Sequence, residues 1–161
     1  MASVLLVDDE PRILSLLHSL LKSEGLTVIS ERDGAAAIER IKTEPLDLIV
    51  TDIRMSPVDG MEVFRFARQA QPDTPVILLT AYGAVNTAIE AMKGGAFDYL
   101  TKPFKVDELL ITVRRALSFR TLVSERDHLK QALADSYGFA NVIAQSPQMR
   151  GICEMVKRVA P

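Results

Sequence analysis

The chain has 161 residues, of which 48% are hydrophobic, 25% are charged and 6% are aromatic, and its formal net charge is −2. This composition is ordinary for a globular protein, and the length allows one full core plus an extension. A net charge near zero without a dense Lys/Arg block argues against nucleic-acid binding by this chain itself.

The sequence predicts neither a secretion signal nor a membrane span. The N-terminal apolar run stops at Asp8, and no basic segment precedes it, unlike in a signal peptide. The longest uncharged stretch, residues 74–89, is shorter than a membrane span and contains Pro75 and Gly83. The single cysteine, Cys153, excludes an internal disulfide framework and favours a reducing compartment. These features predict a cytoplasmic protein without a membrane partner.

Five apolar strand candidates alternate with helical patterns as far as about residue 118. The strand candidates are residues 4–7, 27–30, 48–51, 76–79 and 97–100. Helices are expected at residues 11–25, 34–43, 61–70 and 85–93, with proline or glycine marking several of their boundaries. This alternation is typical of βαβ units around a parallel sheet.

A long helical pattern begins at Val106 and continues toward Ala134. Five positions with alternating spacings of three and four form what we call the linker seam: Phe119, Leu122, Arg126, Leu129 and Leu133. We expect the seam to form a short coiled-coil dimer, to which Leu110, Val113 and Leu117 add contacts because two heptads rarely hold alone. The alternative is one amphipathic helix that folds back on its own domain.

Polar side chains follow four of the apolar runs: Asp8-Asp9, Asp52, Thr80 and Lys102-Pro103. The carboxyl ends of parallel strands meet at one edge of a sheet, so these residues are expected to converge. Three carboxylates placed together repel one another, and a hard divalent cation such as Mg²⁺ removes that conflict. The alternative is that Asp8-Asp9 merely begins a helix, where the helix dipole favours acids.

Asp52 favours a phosphate site over that alternative. A carboxylate at a strand end beside a metal can attack phosphorus and form an acyl phosphate. Lys102 would pair with the phosphoryl oxygens, and the hydroxyl of Thr80 would donate a hydrogen bond to one of them. The joint occurrence of these residues at successive strand ends predicts a phosphate-and-metal site.

The segments LLVDDEP, DLIVTDIRM, DG at 59–60, PVILLTAYG and GAFDYLTKPF occur in this order along the chain. With them, residues 1 to about 120 resemble the receiver domain of a two-component response regulator. The resemblance implies a doubly wound, five-stranded parallel α/β fold of the flavodoxin type, with strand order 2-1-3-4-5. It also implies that a sensor histidine kinase phosphorylates Asp52, which makes the domain a switch rather than an enzyme.

The same resemblance implies roles for the other site residues. The implied Mg²⁺ ligands are Asp9, Asp52 and the backbone carbonyl of Arg54, with Asp8 in support. Thr80 and Tyr99 would be the switch pair, and Lys102 would hold the phosphate before a cis peptide at Pro103. Thr80 would move toward the phosphoryl group, and Tyr99 would turn into the space that it leaves.

The loop after Asp52 departs from the family pattern in one place. Family members often carry proline four residues after the phosphorylated aspartate, but this chain has Ser56 there and Pro57 next. We therefore expect a slightly different path for this loop. The large side chains of Arg54 and Tyr82 are expected to hinder an attacking water and slow the loss of the phosphoryl group.

Residues 138–161, GFANVIAQSPQMRGICEMVKRVAP, resemble the opening of the central ATPase domain of NtrC-type activators, which work with the sigma-54 form of RNA polymerase. The resemblance implies a receiver at 1–120, a helical linker at 121–137 and a truncated ATPase domain at 138–161. Sigma-54 RNA polymerase and promoter DNA would be contacted only through missing domains. The 161 residues contain no G-x-x-x-x-G-K-[ST] segment, so ATP hydrolysis by this chain is not expected.

Other functions fit the residues less well, although a receiver with a different output stays open. A Mg²⁺-dependent phosphatase with an aspartyl nucleophile would carry D-x-D-x-[TV], whereas Ile53 and Arg54 follow Asp52. A dinucleotide-binding domain would carry G-x-G-x-x-G after its first strand, and this chain does not. A receiver-like binding surface without phosphorylation would lack an acceptor-site residue, and all of these residues are present.

Overall fold

The structure is a computed structural model that describes residues 1–81 and 83–136. The strands are β1 (Ser3–Val7), β2 (Thr27–Glu31), β3 (Leu48–Asp52), β4 (Val76–Ala81) and β5 (Asp98–Lys102). The helices are α1 (Pro11–Ser23), α2 (Gly34–Thr43), α3 (Gly60–Ala70), α4 (Val85–Lys93) and α5 (Val106–Ser136). The predictions for Tyr82 and for residues 137–161 lie outside the described residues.

The five strands form one parallel sheet in the order β2-β1-β3-β4-β5, which confirms the predicted flavodoxin-like α/β fold. The central strands β1, β3 and β4 are almost fully buried, and this explains their unbroken apolar sequences. The edge strand β2 is only partly buried, in keeping with its weaker apolar pattern. The parallel pairing places the carboxyl ends of all five strands at the same edge.

Local sequence signals begin and end most helices where they were expected. Pro11 occupies the first turn of α1, and Asp33 begins α2 by accepting a hydrogen bond from the backbone N–H of Ala36 at 2.8 Å. Asp59 begins α3 in the same way, and the side chain of Glu62 completes a capping box. The predicted bounds of α2 and α4 are confirmed, α1 ends two residues earlier than predicted, and α3 begins one residue earlier.

Two apolar clusters cover the two faces of the sheet. One lies between the sheet and α2, α3 and α4, and it includes Leu5, Leu78 and Phe64. The other lies between the sheet and α1 and α5, and it includes Leu17 and Leu109. Each large side chain buried in this way contributes about 1.5–3 kcal/mol. The two clusters cover both faces of the sheet and leave the carboxyl ends of the strands, where the polar residues lie, outside the apolar core.

The chain divides into two compact units, Met1–Thr121 and Leu122–Pro161, and the second is described only as far as Ser136. Within the first unit, α5 buries Leu109, Val113 and Ala116 against the sheet. The predicted dimer contact of Val113 is therefore wrong, because its side chain belongs to the core. The predicted three-part division at 120 and 137 stays a prediction. No helix of the described residues is long and apolar enough to cross a membrane.

The first residue of the linker seam contacts its own unit and is still exposed over 46% of its surface. The ring of Phe119 packs on the ring of Phe97, with centroids 5.7 Å apart, so this side chain already has a partner within the first unit. Leu122, Leu129 and Leu133 are exposed, with 64%, 66% and 56% of their surface accessible. The guanidinium of Arg126 pairs with Asp127 of its own chain at 2.8 Å. The three leucines are thus the most exposed apolar residues of the seam.

Candidate functional site

The carboxyl edge of the sheet brings the sequence-predicted polar residues together. Asp8 and Asp9 follow β1, Asp52 ends β3, Thr80 lies near the end of β4, and Lys102 ends β5. We call these five residues the acceptor site. β4 and β5 are longer than predicted, because their backbone pairing continues as far as Ala81 and Lys102. Thr80 and Lys102 are consequently held inside the sheet rather than in loops.

A buried ion-pair network joins three strands at this edge. The ammonium of Lys102 lies 2.7 Å from Oδ2 of Asp8 and 3.1 Å from Oδ2 of Asp52. Only 1% of the surface of Asp8 and 6% of that of Asp52 is accessible. The remaining oxygens accept backbone hydrogen bonds, Asp8 from Glu10 at 2.9 Å and Asp52 from Arg54 at 3.3 Å. Lys102 is therefore shared between two carboxylates of residues far apart in sequence.

The charges in this network shift the ionisation of its members. Burial raises the pKa of the Asp52 carboxyl, and the nearby Asp8 carboxylate adds to that effect, while the hydrogen bond and charge of Lys102 oppose it. Burial lowers the pKa of the Lys102 ammonium, but its hydrogen bonds to Asp8 and Asp52 outweigh burial, so the pKa is raised overall. The ammonium form of Lys102 is thus favoured, while burial disfavours the charged form of Asp52.

Asp8, Asp9 and Asp52 present one carboxylate oxygen each within 4.8 Å of one another. Asp9 is exposed, while Asp8 and Asp52 are buried, so the group opens to solvent on one side. Three hard, anionic oxygens with excess negative charge form the donor set that Mg²⁺ prefers. Asp9 and Arg54 also line a cleft of about 620 Å³ beside this group. The residues present therefore fit a small divalent cation.

The proposed switch residues lie on β4 and β5. Thr80 is fully buried, and its hydroxyl donates to the backbone carbonyl of Ala81 at 3.3 Å. The side chain of Tyr99 is partly buried and packs against the apolar cluster beneath α4. The peptide bond between Lys102 and Pro103 is cis, as the resemblance implies, and the one before Pro57 is also cis. The switching role of Thr80 and Tyr99 stays a prediction.

Sequence reasoning named Gly60 only within the pair DG at 59–60 and assigned no role to it or to Gly34, although both contact the loop after Asp52. Gly60 lies against the backbone of Asp52 and Ile53, and Gly34 lies against Val58. Both residues begin helices directly after a capping aspartate. The sequence showed only two Asp-Gly pairs at helix starts, and the close backbone approach became visible in the structure.

Comparison with known proteins decides the family. The response regulator receiver domain family matches residues 4–114. The chain belongs to this family. The predicted receiver domain of a two-component response regulator is thereby confirmed, and the acceptor site occupies the carboxyl edge of this receiver.

Similar proteins extend the match beyond the receiver. The regulatory protein AtoC of Escherichia coli (strain K12) is 37% identical over 157 residues, which are 98% of this chain and 34% of AtoC. The C4-dicarboxylate transport transcriptional regulatory protein DctD of Pseudomonas aeruginosa is 40% identical over 159 residues, again 98% of this chain and 34% of DctD. The chain thus spans about a third of the length of these curated relatives.

Solved structures agree with this assignment. A response regulator receiver domain protein from Clostridium thermocellum superposes with a TM-score of 0.71 at 33% identity, covering 76% of this chain and 99% of that one. The crystal structure of NtrX from Brucella abortus in complex with ADP gives a TM-score of 0.74 at 29% identity. The match covers all of this chain and 35% of NtrX.

Proposed function

We propose that this receiver is a phosphorylation-controlled switch in which Asp52 accepts a phosphoryl group from a sensor histidine kinase. The ion pair of Lys102 with Asp52 at 3.1 Å, inside a group of three carboxylates, carries the proposal. It supplies a nucleophilic oxygen and, within hydrogen-bond distance, a cation for the phosphoryl oxygens.

Asp8, Asp9 and Asp52 would hold Mg²⁺ in this site, together with the backbone carbonyl of Arg54. When bound, Mg²⁺ neutralises negative charge on the carboxylates and on the incoming phosphoryl oxygens. The exposed side of the group, at Asp9, faces the cleft from which a phosphodonor would approach. A phosphoryl group and a divalent cation are therefore accommodated by the same edge of the sheet.

In the transfer step, an Oδ atom of Asp52 attacks phosphorus. The new O–P bond forms as the P–N bond to the kinase imidazole breaks, and that electron pair stays on the imidazole nitrogen. The ammonium of Lys102, which donates to Asp52 at 3.1 Å, also donates a hydrogen bond to a phosphoryl oxygen. The hydroxyl of Thr80 leaves the carbonyl of Ala81 and donates to another phosphoryl oxygen.

Phosphorylation adds about −1.5 to −2 charge at this edge of the sheet. With Thr80 moved toward the phosphate, Tyr99 turns inward and changes the surface formed by α4, β5 and the first part of α5. The change is a shift between two populations, and its size is limited by how differently the phosphate interacts with each of them.

We further infer that the whole protein couples this receiver to a sigma-54-dependent transcription-activating ATPase. The support is that the similarity to AtoC and DctD covers 98% of this chain, beyond the receiver match that ends at residue 114. DctD is named a transcriptional regulatory protein. Sigma-54 RNA polymerase and promoter DNA would be contacted through domains outside this chain.

The linker seam supports a homodimer as the form in which this coupling occurs. Leu122, Leu129 and Leu133 follow coiled-coil spacing on a continuous helix and are each more than half exposed. On the part of α5 within the first unit, Ile111 is exposed and replaces Val113 as a candidate contact.

The test of the proposed function is labelling of the purified chain by acetyl phosphate, followed by intact-mass spectrometry. The wild type should gain one phosphoryl group only with Mg²⁺ present, and Asp52→Asn should gain none. Asp73→Asn is the matched control, because Asp73 is an exposed carboxylate on the loop between α3 and β4. Undiminished, Mg²⁺-dependent labelling of Asp52→Asn would remove Asp52 from the role proposed for it.

A further inference from the structure

Two Asp-Gly pairs begin the helices on one side of the sheet. Asp33 and Asp59 cap α2 and α3, and Gly34 and Gly60 occupy the first helical positions. Glycine loses more conformational freedom on folding than any other residue, so a glycine here needs a reason. Neither glycine has a positive φ, unlike Gly25. The backbone conformation at Gly34 and Gly60 would allow other residues. It is the atoms packed against these two positions that require glycine.

Gly60 lies against the backbone of the phosphoacceptor. A Cβ atom on Gly60 would overlap the carbonyl oxygen of Asp52, and it would lie 2.8 Å from the carbonyl carbon and 2.9 Å from Cα of Ile53. The N–H of Gly60 also donates to the carbonyl of Ile53 at 3.0 Å. These neighbours are backbone atoms, which cannot rotate away from an added methyl group. The start of α3 therefore sets the position of the chain at the end of β3.

Gly34 makes an equivalent contact at the far end of the same loop. A Cβ atom on Gly34 would lie 2.5 Å from the carbonyl oxygen of Val58 and 2.7 Å from its Cγ1. The loop of residues 53–59 is thus packed against α3 at one end and against α2 at the other. Each contact is possible only because the helix presents no side chain there.

We propose that Gly60 and Gly34 are positioning residues for phosphoryl transfer, because they let α3 and α2 hold the loop of residues 53–59 in place. This inference rests on the proposed role of Asp52. The carbonyl that Gly60 contacts belongs to Asp52 itself, and the N–H of Arg54 donates to Oδ1 of Asp52 at 3.3 Å. Moving this backbone therefore moves the acceptor carboxylate and the backbone carbonyl of Arg54 together.

The chain offers a matched control for general loss of stability. Gly25 has a φ of +81°, and an added Cβ there would meet nothing within 4 Å. Gly25→Ala strains the backbone between α1 and β2 without touching the loop. A variant that only weakens the fold should therefore behave like Gly25→Ala, whereas a positioning variant should differ from it.

The experiment compares Gly60→Ala, Gly34→Ala and Gly25→Ala with the wild type, each below its own unfolding transition. Mg²⁺ affinity is measured by calorimetric titration, and the labelling rate is measured with acetyl phosphate at saturating Mg²⁺. We expect Gly60→Ala to bind Mg²⁺ about tenfold more weakly than the wild type and to be labelled about tenfold more slowly. A loss of this size is usual when a residue that supports metal ligands from outside is disturbed. Gly34→Ala should lose less Mg²⁺ affinity than Gly60→Ala, and Gly25→Ala should bind Mg²⁺ as tightly as the wild type.

Either of two results overturns the inference. One is a Gly60→Ala variant that matches the wild type in both measurements, and the other is a Gly25→Ala variant that loses as much. If Gly60→Ala does not fold, Gly34→Ala decides, and an unchanged Mg²⁺ affinity in that variant overturns the inference. A wild type that takes no label contradicts the proposed function instead, and the Mg²⁺ titrations then judge the positioning role by themselves.

Discussion

The acceptor site and the linker seam are built in opposite ways. The acceptor site collects residues from Asp8 to Lys102, which are far apart in sequence, and buries most of them within one chain. The seam takes residues close together on one helix, and it leaves Leu122, Leu129 and Leu133 exposed. Charged groups are thus enclosed in one region, while apolar groups are open to water in the other.

This difference indicates what each region needs to be complete. The sheet already holds the carboxylates and the ammonium of the acceptor site close together, so under the proposed function this region is assembled within one chain. The seam has the spacing of a coiled coil and leaves three leucines more than half exposed, which supports the proposed dimer. Substitutions in the acceptor site should therefore act within a monomer, and substitutions in the seam should act on assembly.

The largest effect is expected at the seam. Leu122→Asp combined with Leu129→Asp would bury two charges per chain in the interface and should weaken the dimer at least about a hundredfold while leaving the receiver folded. Sedimentation velocity measures the change. The control is His128→Asp combined with Gln131→Asp, which adds the same charges on the opposite helix face and should remain a dimer. A wild-type chain that is monomeric at tens of micromolar would contradict the proposal that the linker seam forms a dimer.

An effect of similar size is expected from Lys102→Met, which leaves the buried carboxylates of Asp8 and Asp52 without their cation. Without metal at neutral pH, this variant should lose about 3 kcal/mol of unfolding free energy in urea, and Mg²⁺ should restore more stability to it than to the wild type. Lys42→Met removes an exposed pair with Glu39 and should change stability little. If Lys102→Met and Lys42→Met lost equal amounts of unfolding free energy, burial of the Asp8 and Asp52 carboxylates would not be the cause of the loss.

The lifetime of the phosphorylated state should change less. Arg54 is exposed and lines the cleft beside the acceptor site, and Tyr82 lies outside the described residues. Truncating both to Ala should admit water and shorten the half-life of the phosphoryl group about two- to fivefold, equivalent to about 0.4–1 kcal/mol of barrier. Arg65→Ala on α3 should leave the half-life unchanged. Identical decay in the double variant and the wild type would exclude hindrance by these side chains.

The smallest effect concerns stability and pH in the absence of metal. Because the pKa of Asp52 is raised in the folded protein, this group favours folding below its ordinary pKa and loses that contribution as pH rises through the raised pKa. Asp52→Asn should therefore be more stable than the wild type at neutral pH. The urea midpoint of Asp52→Asn should exceed that of the wild type at about pH 7. The difference between the two midpoints should shrink as the pH is lowered to about 4. A gain that is independent of pH would mean that charge is not its cause.

Local sequence signals were enough to predict the α/β class, the strand order through the resemblance, and the bounds of two helices. Pro45 marked the end of α2 because proline cannot continue a helix, and the pair Gly94-Gly95 marked the end of α4, where Gly95 adopts a φ of +97°. The polar residues of the acceptor site were predictable because parallel strands align their carboxyl ends. All of these signals act over a few residues or follow from one rule of sheet geometry.

Contacts between distant segments decided the rest. β4 extends beyond its apolar run because β5 supplies backbone partners, and Val113 turns inward because the sheet lies on that side of α5. The close approach of Gly60 to Asp52 also depends on how α3 docks, which the sequence pattern does not state. The sequence by itself determined which residues can do chemistry and which segments can be helix or strand. Only the tertiary structure decided their distances and their burial, because these depend on atoms far away along the chain.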